Sequence, residues 1–411
     1  MLSTQPAEFT NRMTPKEMRA SLSLASIFAL RMLGMFLILP VFAEHAKTLP
    51  GGNSATMVGL AMGMYGLTQS FGQIPFGVAS DKYGRKRIII IGLILFALGS
   101  FIAAAATSIH WIIVGRAVQG AGAISAAVTA FIADATREEH RTKAMAMVGA
   151  SIGLTFSVSL IASPVLYESI GMSGIFALTG ILSIVAILVV AFVVPPAPPL
   201  IHATRVPFST VLYDGQLMRL NFGVFVLHMT QMAMFVVVPS ALVQYAGLPI
   251  AEHSKVYLPV VLASIMVMLP PVFIGERRGK TKQVFLASIA LMIVVQLGFW
   301  AFLSHPTLHW ATLVVLLFAF FVAFNILEAS QPSLVSRIAP PSAKGAALGV
   351  YNTLQALGLF CGGVLAGYLK QHLGPSSVFI VSAAMTIVWL IIASSMKNLP
   401  RRSSRPAVAA A

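Results

Sequence analysis

The sequence is poor in charged residues, acidic residues and cysteine. Charged residues make up 9% of the 411 residues and apolar residues 57%, whereas soluble globular proteins average about 25% and 45 to 50%. So few charges cannot cover a water-exposed surface. The single cysteine, Cys361, excludes an intramolecular disulfide and a cysteine-ligated metal site. The composition therefore predicts a membrane protein with few residues left for a soluble domain.

The sequence also lacks the motifs that carry common enzyme chemistry. It has no nucleophile elbow, no GxxxxGK phosphate loop, no pair of carboxylates within a span and no histidine cluster with metal-ligand spacing. Four histidines, His45, His110, His305 and His309, fall at the outer boundary of predicted spans, as interfacial polar residues do. We therefore expect neither an enzyme nor a bound cofactor or metal.

Long hydrophobic runs predict an all-α membrane protein of twelve transmembrane helices. A crossing needs roughly 20 to 25 residues, so 411 residues supply about twelve crossings with short connections. Helices 1 to 6 are predicted at residues 21–43, 56–79, 87–107, 109–134, 142–168 and 172–194. Helices 7 to 12 are predicted at 218–245, 251–275, 281–303, 308–337, 344–370 and 376–396.

The basic residues indicate the orientation of these helices. Nearly all of them fall in the N-terminus, the C-terminal tail and alternate loops; the opposite side has only Lys47, Lys255 and Lys370. By the positive-inside rule, both termini are cytoplasmic, in a bacterial inner membrane. The net charge of +15 is thus a topology signal, and we expect the protein to bind no nucleic acid.

A proline-rich segment divides the chain near its middle. The run PPAPPLIHATRVPF cannot form a continuous helix. We predict a cytoplasmic N-terminus at 1–20, a six-helix bundle at 21–194, a cytoplasmic linker at 195–217, a second bundle at 218–396 and a basic cytoplasmic tail at 397–411.

The two halves resemble each other in sequence. GVASDKYGRKR after helix 2 has a weaker counterpart, VFIGERRGKTK, after helix 8. The matching pairs are Asp81 with Glu276, Gly84 with Gly279, Arg85 with Lys280, Pro75 with Pro270 and Pro40 with Pro239. A duplicated six-helix unit places a binding site near the midplane, between two pseudo-symmetric bundles.

Two motifs resemble signatures of the major facilitator superfamily. The loop after helix 2 resembles its helix 2–3 signature through Gly77, Asp81, Gly84, Arg85, Lys86 and Arg87. IIVGRAVQGAGA in helix 4 resembles the signature associated with proton coupling, through Arg116, Gln119 and Gly120. In that family the loop acts as a cytoplasmic latch that engages an acid at the end of helix 4, which is Asp134 here.

The resemblance is strongest to a branch of drug:proton antiporters and extends over almost the whole chain. RMLGMFLILPVF, TREEHRTKAMA and GVYNTLQALG carry it together with the helix 2–3 loop. The soluble domain that follows helix 12 in that branch has no counterpart in the tail NLPRRSSRPAVAAA. Helix 5 matches the antiporter signature only in part, because Ser163 precedes Pro164 where the signature has glycine.

Polar side chains recur at helical spacing within the spans. In lipid, such faces must turn towards the protein interior. The substrate-cavity candidates are Arg31, Tyr65, Gln69, Gln73, Asn221, Gln231, Asn325, Asn352 and Gln355. Packing between helices is an alternative role for each amide. Arg31 and Arg116 are the exceptions, because a guanidinium stays charged and is costly at membrane depth.

Glu328 is the leading candidate for the proton carrier. It is the acidic residue placed well inside a span, about nine residues and roughly 13 Å before Arg337. Burial disfavours a charged carboxylate and water favours it, so a carboxylate at this depth changes its protonation as a cavity opens and closes. His228 and Asp134 are the alternative carriers, and packing alone is an alternative role for Glu328.

These observations predict a monomeric secondary transporter in the lipid bilayer, whose partners are protons and a small-molecule substrate. The leading hypothesis is efflux of small amphipathic compounds by proton antiport, with the two halves rocking around a central cavity. Proton-coupled uptake of a small organic solute, drawn by Arg31 and Arg116 if anionic, is the alternative with the same fold. A non-transporting receptor or scaffold is the alternative from another class.

Overall fold

The computed structural model describes residues 13–196, 211–305, 309–340 and 343–397, and all regular structure in these ranges is helical. Helix 1 comprises Pro15–Phe36 and Leu39–His45, helix 2 is Ala55–Tyr83, helix 3 is Arg85–Ala104, and helix 4 comprises Ile109–Ala121 and Ser125–Ala135. Helices 5 and 6 share Glu138–Leu188, which continues as a π-helical turn at Val189–Val193. Helices 7 to 12 are Gly215–Ala246, Ser254–Arg277, Thr281–Ser304, Ala311–Ile338, Lys344–Leu373 and Pro375–Ser394.

The predicted number of crossings agrees with these helices. Within the described ranges, ten segments are long and apolar enough to cross a membrane. One of them continues for 51 residues, about 75 Å at 1.5 Å per residue, and the hydrocarbon core measures about 30 Å. It bends at Gly171, whose φ of +66° is non-helical, and therefore crosses twice as helices 5 and 6. The polar, glycine-rich helix 2 completes the twelve.

The N-terminal end of helix 1 differs from the prediction. The helix begins at Pro15, six residues before the predicted start at residue 21. The Thr14 hydroxyl accepts from the Glu17 backbone N–H, and the Glu17 carboxylate accepts from the Thr14 N–H. This capping box and a proline in the first turn fix the start. Helix 7 likewise begins three residues early, because Asp214 caps it.

Two helices that the sequence predicted as continuous are interrupted. Helix 1 breaks at Leu37 and Ile38 and restarts just before Pro40, whose ring cannot continue the preceding helix. Helix 4 stops at Ala121 and restarts at Ser125, with a non-helical ψ of 54° at Gly122. Because irregular backbone at membrane depth is tolerated only inside protein or beside a cavity, both breaks mark the interior of the first half.

The packing of the helices repeats from one half to the other. In the first half, helix 1 lies along helix 5 and helix 3 along helix 6, with Ser163 donating to the Leu37 carbonyl and Ser183 to the Leu93 carbonyl. In the second half, helix 7 lies along helix 11 and helix 9 along helix 12. Corresponding helices thus occupy corresponding places in two six-helix bundles, as the repeated sequence predicted.

Most of the predicted linker and almost all of the predicted tail fall outside the described residues. Residues 197–210 cover most of the linker, and residues 398–411 cover all but the first residue of the tail. The predicted domain boundaries, which assign residues 21–194 to an N-terminal bundle and residues 218–396 to a C-terminal bundle, stay a prediction.

Candidate functional site

The two halves touch through a seam of small residues between helices 2 and 11. A Cβ atom added at Gly59 would overlap the Gly363 carbonyl, and one added at Gly367 would overlap the Ala55 carbonyl. Beyond this seam, the Gln371 side-chain oxygen accepts from the Ser54 hydroxyl at 2.8 Å. All these contacts lie towards the end of both helices opposite the termini, which is the outer end in the predicted orientation.

The inner ends of the helices are not in comparable contact. Cβ atoms added at Gly345 and Gly349 of helix 11 would meet nothing within 4 Å, and the same holds for Gly149 and Gly153 of helix 5. The two halves are therefore in close contact at the end opposite the termini, whereas these four glycines, towards the other end, have open space beside them.

A polar cluster in the second half contains two of the predicted proton carriers. Glu328 of helix 10 lies 3.5 Å from His228 of helix 7, between Oε2 and Nε2. The Gln355 amide of helix 11 contacts the same Nε2 at 2.6 Å. His228 Nδ1 lies 3.0 Å from the Val224 carbonyl, an acceptor only, so Nδ1 donates to it; in the neutral ring, Nε2 then accepts from the Gln355 amide.

The exposure of this cluster fits a site beside a cavity. The Glu328 side chain is 24% exposed and the His228 side chain 5%. The hydroxyl of Tyr351, one turn before Gln355, is buried without a hydrogen-bond partner among the described residues. Glu328 Oε2, 3.5 Å from Nε2, is itself buried without a hydrogen-bond partner in the described ranges. The third carrier candidate, Asp134, lies elsewhere, in the latch described below.

The first half holds two arginines that are each 1% exposed, Arg31 of helix 1 and Arg116 of helix 4. Their guanidinium carbons lie 5.5 and 4.8 Å from the centre of the Tyr65 ring. Arg116 donates to Gln119 at 3.0 Å, and Gln119 donates to Ser100 at 2.7 Å. Arg116 thus faces the interior of the N-terminal bundle rather than lipid.

The remaining helix 4 signature residue and the helix 2 amides lie around these arginines. A Cβ atom at Gly120 would overlap the Tyr65 carbonyl, so this glycine permits close contact between helices 2 and 4. The Gln73 side-chain oxygen accepts from the Ala126 N–H at 3.2 Å. Gln69 is 6% exposed, and its side-chain oxygen has no partner among the described residues.

The predicted latch residues come together at the inner end of the first half. Arg85 Nε donates to the Asp134 carboxylate at 2.8 Å, and a second nitrogen of Arg85 pairs with Asp81. Gly84 has a φ of +98°, which glycine adopts without strain, and it joins helices 2 and 3. Gly77 packs beside Ala126. The side chain of Lys86 reaches the Val194 carbonyl at the end of helix 6. Arg87 is exposed and has no hydrogen-bond or ion-pair partner among the described residues.

The second half has a counterpart of this latch with the charges exchanged. Arg337 at the end of helix 10 pairs with Glu276 at the end of helix 8. In the first half, the acid lies on helix 4 and the arginine follows helix 2. The repeated motif therefore positions an ion pair in both halves. The sequence comparison matched Arg85 with Lys280 and did not predict that Arg337 is the partner of Glu276.

The other predicted cavity residues are dispersed through the second half. The Asn325 amide donates to Ser264 at 3.1 Å and so joins helices 10 and 8. Asn221 and Gln231 are 1% and 2% exposed, and each has a side-chain oxygen without a partner among the described residues. Asn352 is partly exposed on helix 11, one turn before Gln355.

An aromatic cluster between the halves was not predicted from the sequence. The Phe156 ring of helix 5 lies 6.3 Å from Phe235, 6.0 Å from Phe321 and 5.6 Å from Phe324, all in the second half. Phe36 of helix 1 adds an edge contact to Phe156 at 5.0 Å. The spacing of Phe321, Phe324 and Glu328 on one face of helix 10 was the available signal, but 26 phenylalanines obscured it.

Comparison with known proteins agrees with this architecture. The chain matches the Major Facilitator Superfamily over residues 24–324 and 222–410. It is 43% identical to the inner membrane transport protein YajR of Escherichia coli (strain K12), over 96% of this chain and 86% of that one. It is 26% identical to the multidrug resistance protein MdtH of Aeromonas hydrophila, over 83% of this chain and 85% of that one.

A solved structure shares the fold at low identity. A bacterial homologue of the human lysosomal transporter Spinster, in an inward-facing and occupied conformation, superposes with a TM-score of 0.74. The match covers 95% of this chain and 100% of that one, at 13% identity. With two related bundles, a matched family and a close full-length relative, the chain belongs to the major facilitator superfamily and is a multi-pass membrane transporter.

Proposed function

We propose that the protein exports small amphipathic compounds in exchange for protons, by alternating access of a cavity between its halves. The observation that carries this proposal is the contact between Glu328 and His228 at 3.5 Å, within the span and partly exposed. An antiporter needs a group that takes up a proton on one side and releases it on the other. Glu328 and His228 share that role, and Gln355 orients the histidine.

The arrangement of the halves supports the alternating-access part of the proposal. The seam between helices 2 and 11 closes the outer side, and the latches at Arg85 and Arg337 each lie within one half. A state with the inner side closed requires the inner ends of helices 5 and 11 to approach the other half. The latch at Asp81, Arg85 and Asp134 stabilises one of the two arrangements.

The names of the relatives favour export over import. MdtH is named a multidrug resistance protein, and so is a relative from Bacillus subtilis that is 24% identical. The phenylalanines around Phe156 offer a deformable apolar surface for the body of an amphipathic substrate. Such a surface accepts several shapes, as an exporter of varied compounds requires.

The deciding experiment measures transport into inside-out vesicles, with and without a pH gradient, for a panel of labelled amphipathic compounds. Accumulation driven by acid inside the vesicles supports export by antiport. The Glu328→Gln variant is expected to keep the fold and substrate binding but to lose substrate-induced proton movement. Glu252→Gln is the matched control, because Glu252 forms an exposed ion pair with Lys255. Unchanged proton movement in Glu328→Gln would exclude Glu328 as the obligatory carrier and assign the role to His228 or Asp134.

Proton-coupled uptake of a small organic solute is the second candidate. The buried charges of Arg31 and Arg116 favour it, because they can attract an anionic solute. The same vesicle preparation separates the two directions. Transport that appears only in right-side-out vesicles supports uptake and contradicts export.

The proposal places a monomer in the bacterial inner membrane with both termini in the cytoplasm. The basic residues support this orientation. A reporter enzyme fused after Met396 is expected to behave as cytoplasmic. Activity of the reporter only in the periplasm would contradict the orientation, and size measurement of the detergent-solubilised protein tests the monomer.

A further inference from the structure

The break in helix 4 creates a new helix N-terminus inside the first half. The segment Ser125–Ala135 has 11 residues, and its N-cap residue, Ile124, provides no side-chain hydrogen bond. The first backbone N–H groups of a helix lack partners within the helix and carry a partial positive charge. Discontinuous helices place such N-termini beside anionic groups in other transporter folds.

Two buried side chains converge on this N-terminus. Arg31 of helix 1 donates through Nη1 to the Ser125 hydroxyl at 3.0 Å, and Gln73 of helix 2 accepts from the Ala126 N–H at 3.2 Å. Each side chain is 1% exposed. Arg31 Nε and Nη2 and the Gln73 amide nitrogen have no hydrogen-bond partner among the described residues. Three further donors are therefore held beside Ser125 and Ala126.

The charge of the region is positive and uncompensated within the described part of the chain. None of the ion pairs found there involves Arg31 or Arg116. Both guanidinium groups lie beside the Tyr65 ring, whose hydroxyl is also buried without a partner in the described ranges. Burying two permanent charges is costly unless an anion pairs with them.

We infer that Arg31, Gln73 and the N-terminus of Ser125–Ala135 form a receptor for the anionic group of the transported compound. The substrate class is thus organic anions, with a carboxylate or sulfonate joined to an apolar body. Phe36, on the same helix as Arg31, contacts Phe156 of the aromatic cluster between the halves, which offers an apolar surface for that body. This inference rests on the proposed transport function for its physiological meaning, but not for the binding itself.

The test measures equilibrium binding to purified protein in nanodiscs without a pH gradient. The probes are octanoate, 2-naphthoate and biphenyl-4-carboxylate, each compared with its amide and with the amine of the same body. At least one carboxylate is expected to bind more tightly than both of its neutral and cationic counterparts. In Arg31→Gln, its affinity is expected to fall on the order of 10- to 100-fold, as for loss of a charged hydrogen bond.

Gln73→Glu is the sharper variant. It keeps an oxygen to accept from the Ala126 N–H, so the local fold retains its hydrogen bond, but it replaces the free donor with negative charge. Carboxylate binding is expected to become undetectable. Arg19→Gln is the matched control, because Arg19 donates to the Val193 carbonyl at an exposed position, and its affinity is expected to equal that of the wild type.

Two results would overturn the inference. One is equal or tighter binding of the amides and amines for all three bodies. The other is carboxylate binding that Gln73→Glu leaves unchanged in protein that remains monodisperse. Because no gradient is applied, neither result depends on proton coupling. A failure of Glu328→Gln to alter proton movement, conversely, leaves the binding result untouched.

Discussion

The two halves of this transporter share a fold but carry different kinds of charge. In the first half the most deeply buried charges are those of Arg31 and Arg116, each 1% exposed, which remain positive at any physiological pH. In the second half, the polar cluster contains Glu328 and His228, a carboxyl and an imidazole 3.5 Å apart, neither of which carries a permanent charge. Under the proposed function, this difference divides the work of the duplicated bundle: permanent charge binds the substrate in one copy, and the other copy holds the proton carrier.

The largest expected effect comes from removing permanent charge in the first half. Arg116→Leu should insert normally, because it removes a charge that is costly at membrane depth. Coupled transport should fall by about 100-fold, since charged hydrogen bonds worth about 3 kcal/mol are lost. Initial rates in vesicles with matched protein amounts measure this. Arg116→Lys keeps the positive charge but not the planar guanidinium group, and it should retain part of the activity. Equal losses in both variants would show that the geometry of the guanidinium matters more than its charge.

The seam between the halves should respond next. Gly59→Leu forces a side chain against the Gly363 carbonyl, and overpacking costs about 1 to 3 kcal/mol. The outer-closed state should lose population by roughly 5- to 100-fold, at about 1.4 kcal/mol per factor of ten. A cysteine at Phe235, in a Cys361→Ala background, reports this through labelling from outside by an impermeant maleimide.

The control for the seam is Gly149→Leu, where an added Cβ atom meets nothing within 4 Å. It should leave outside labelling unchanged or lower it, because it can only hinder closure of the inner side. Increased labelling in both variants would mean that the effect is general loosening rather than loss of the outer seam.

The two latches offer a direct comparison of the halves. Asp81→Asn should lower turnover by about tenfold at normal membrane levels, because its charge stabilises one arrangement of the halves and not the spans. Glu276→Gln is the counterpart in the second half, where Arg337 would lose its ion pair. A smaller effect of Glu276→Gln would show that the first latch dominates the transition. Normal turnover of Asp81→Asn would mean that the charges in the loop between helices 2 and 3 only set the membrane topology.

The smallest effect is expected at Gln355. Gln355→Leu removes a neutral hydrogen bond to His228, worth about 0.5 to 1.5 kcal/mol. The maximal rate should change by about threefold, whereas the pH dependence of transport should shift, because the histidine is no longer oriented towards Glu328. Gln371→Leu is the control: it removes an outer contact with Ser54 and should change the rate without moving the pH profile. Identical pH profiles for both variants would remove Gln355 from the proton site.

The sequence predicted the helices well because their signal is local. Hydropathy over each span and the prolines near the middle were enough for twelve helices and two halves. It missed the breaks after Phe36 and Ala121, because a helix interruption inside a bundle leaves hydropathy unchanged. The glycines at 120 and 122 marked the second break, but glycines in a membrane helix more often serve close packing.

The sequence predicted the individual residues of the site but not which of them lie next to one another. Glu328 and His228 were proposed as competing proton carriers, yet they lie 3.5 Å apart and form one cluster. Asp134, the third candidate, pairs with Arg85 in the latch. Such neighbours come from helices distant in sequence, and a single sequence carries no record of which faces meet.

The sequence by itself determined the environment, the number of crossings, the repeat and the residues that can carry charge, because these depend on composition and on spacing along one chain. Only the tertiary structure decided that Arg31 and Gln73 meet a helix N-terminus, that Gln355 contacts His228, and that the halves touch at the end opposite the termini. Those facts depend on how separate helices rotate and pack against one another. In a bundle where almost every helix is apolar, small residues and a few buried polar contacts set that packing.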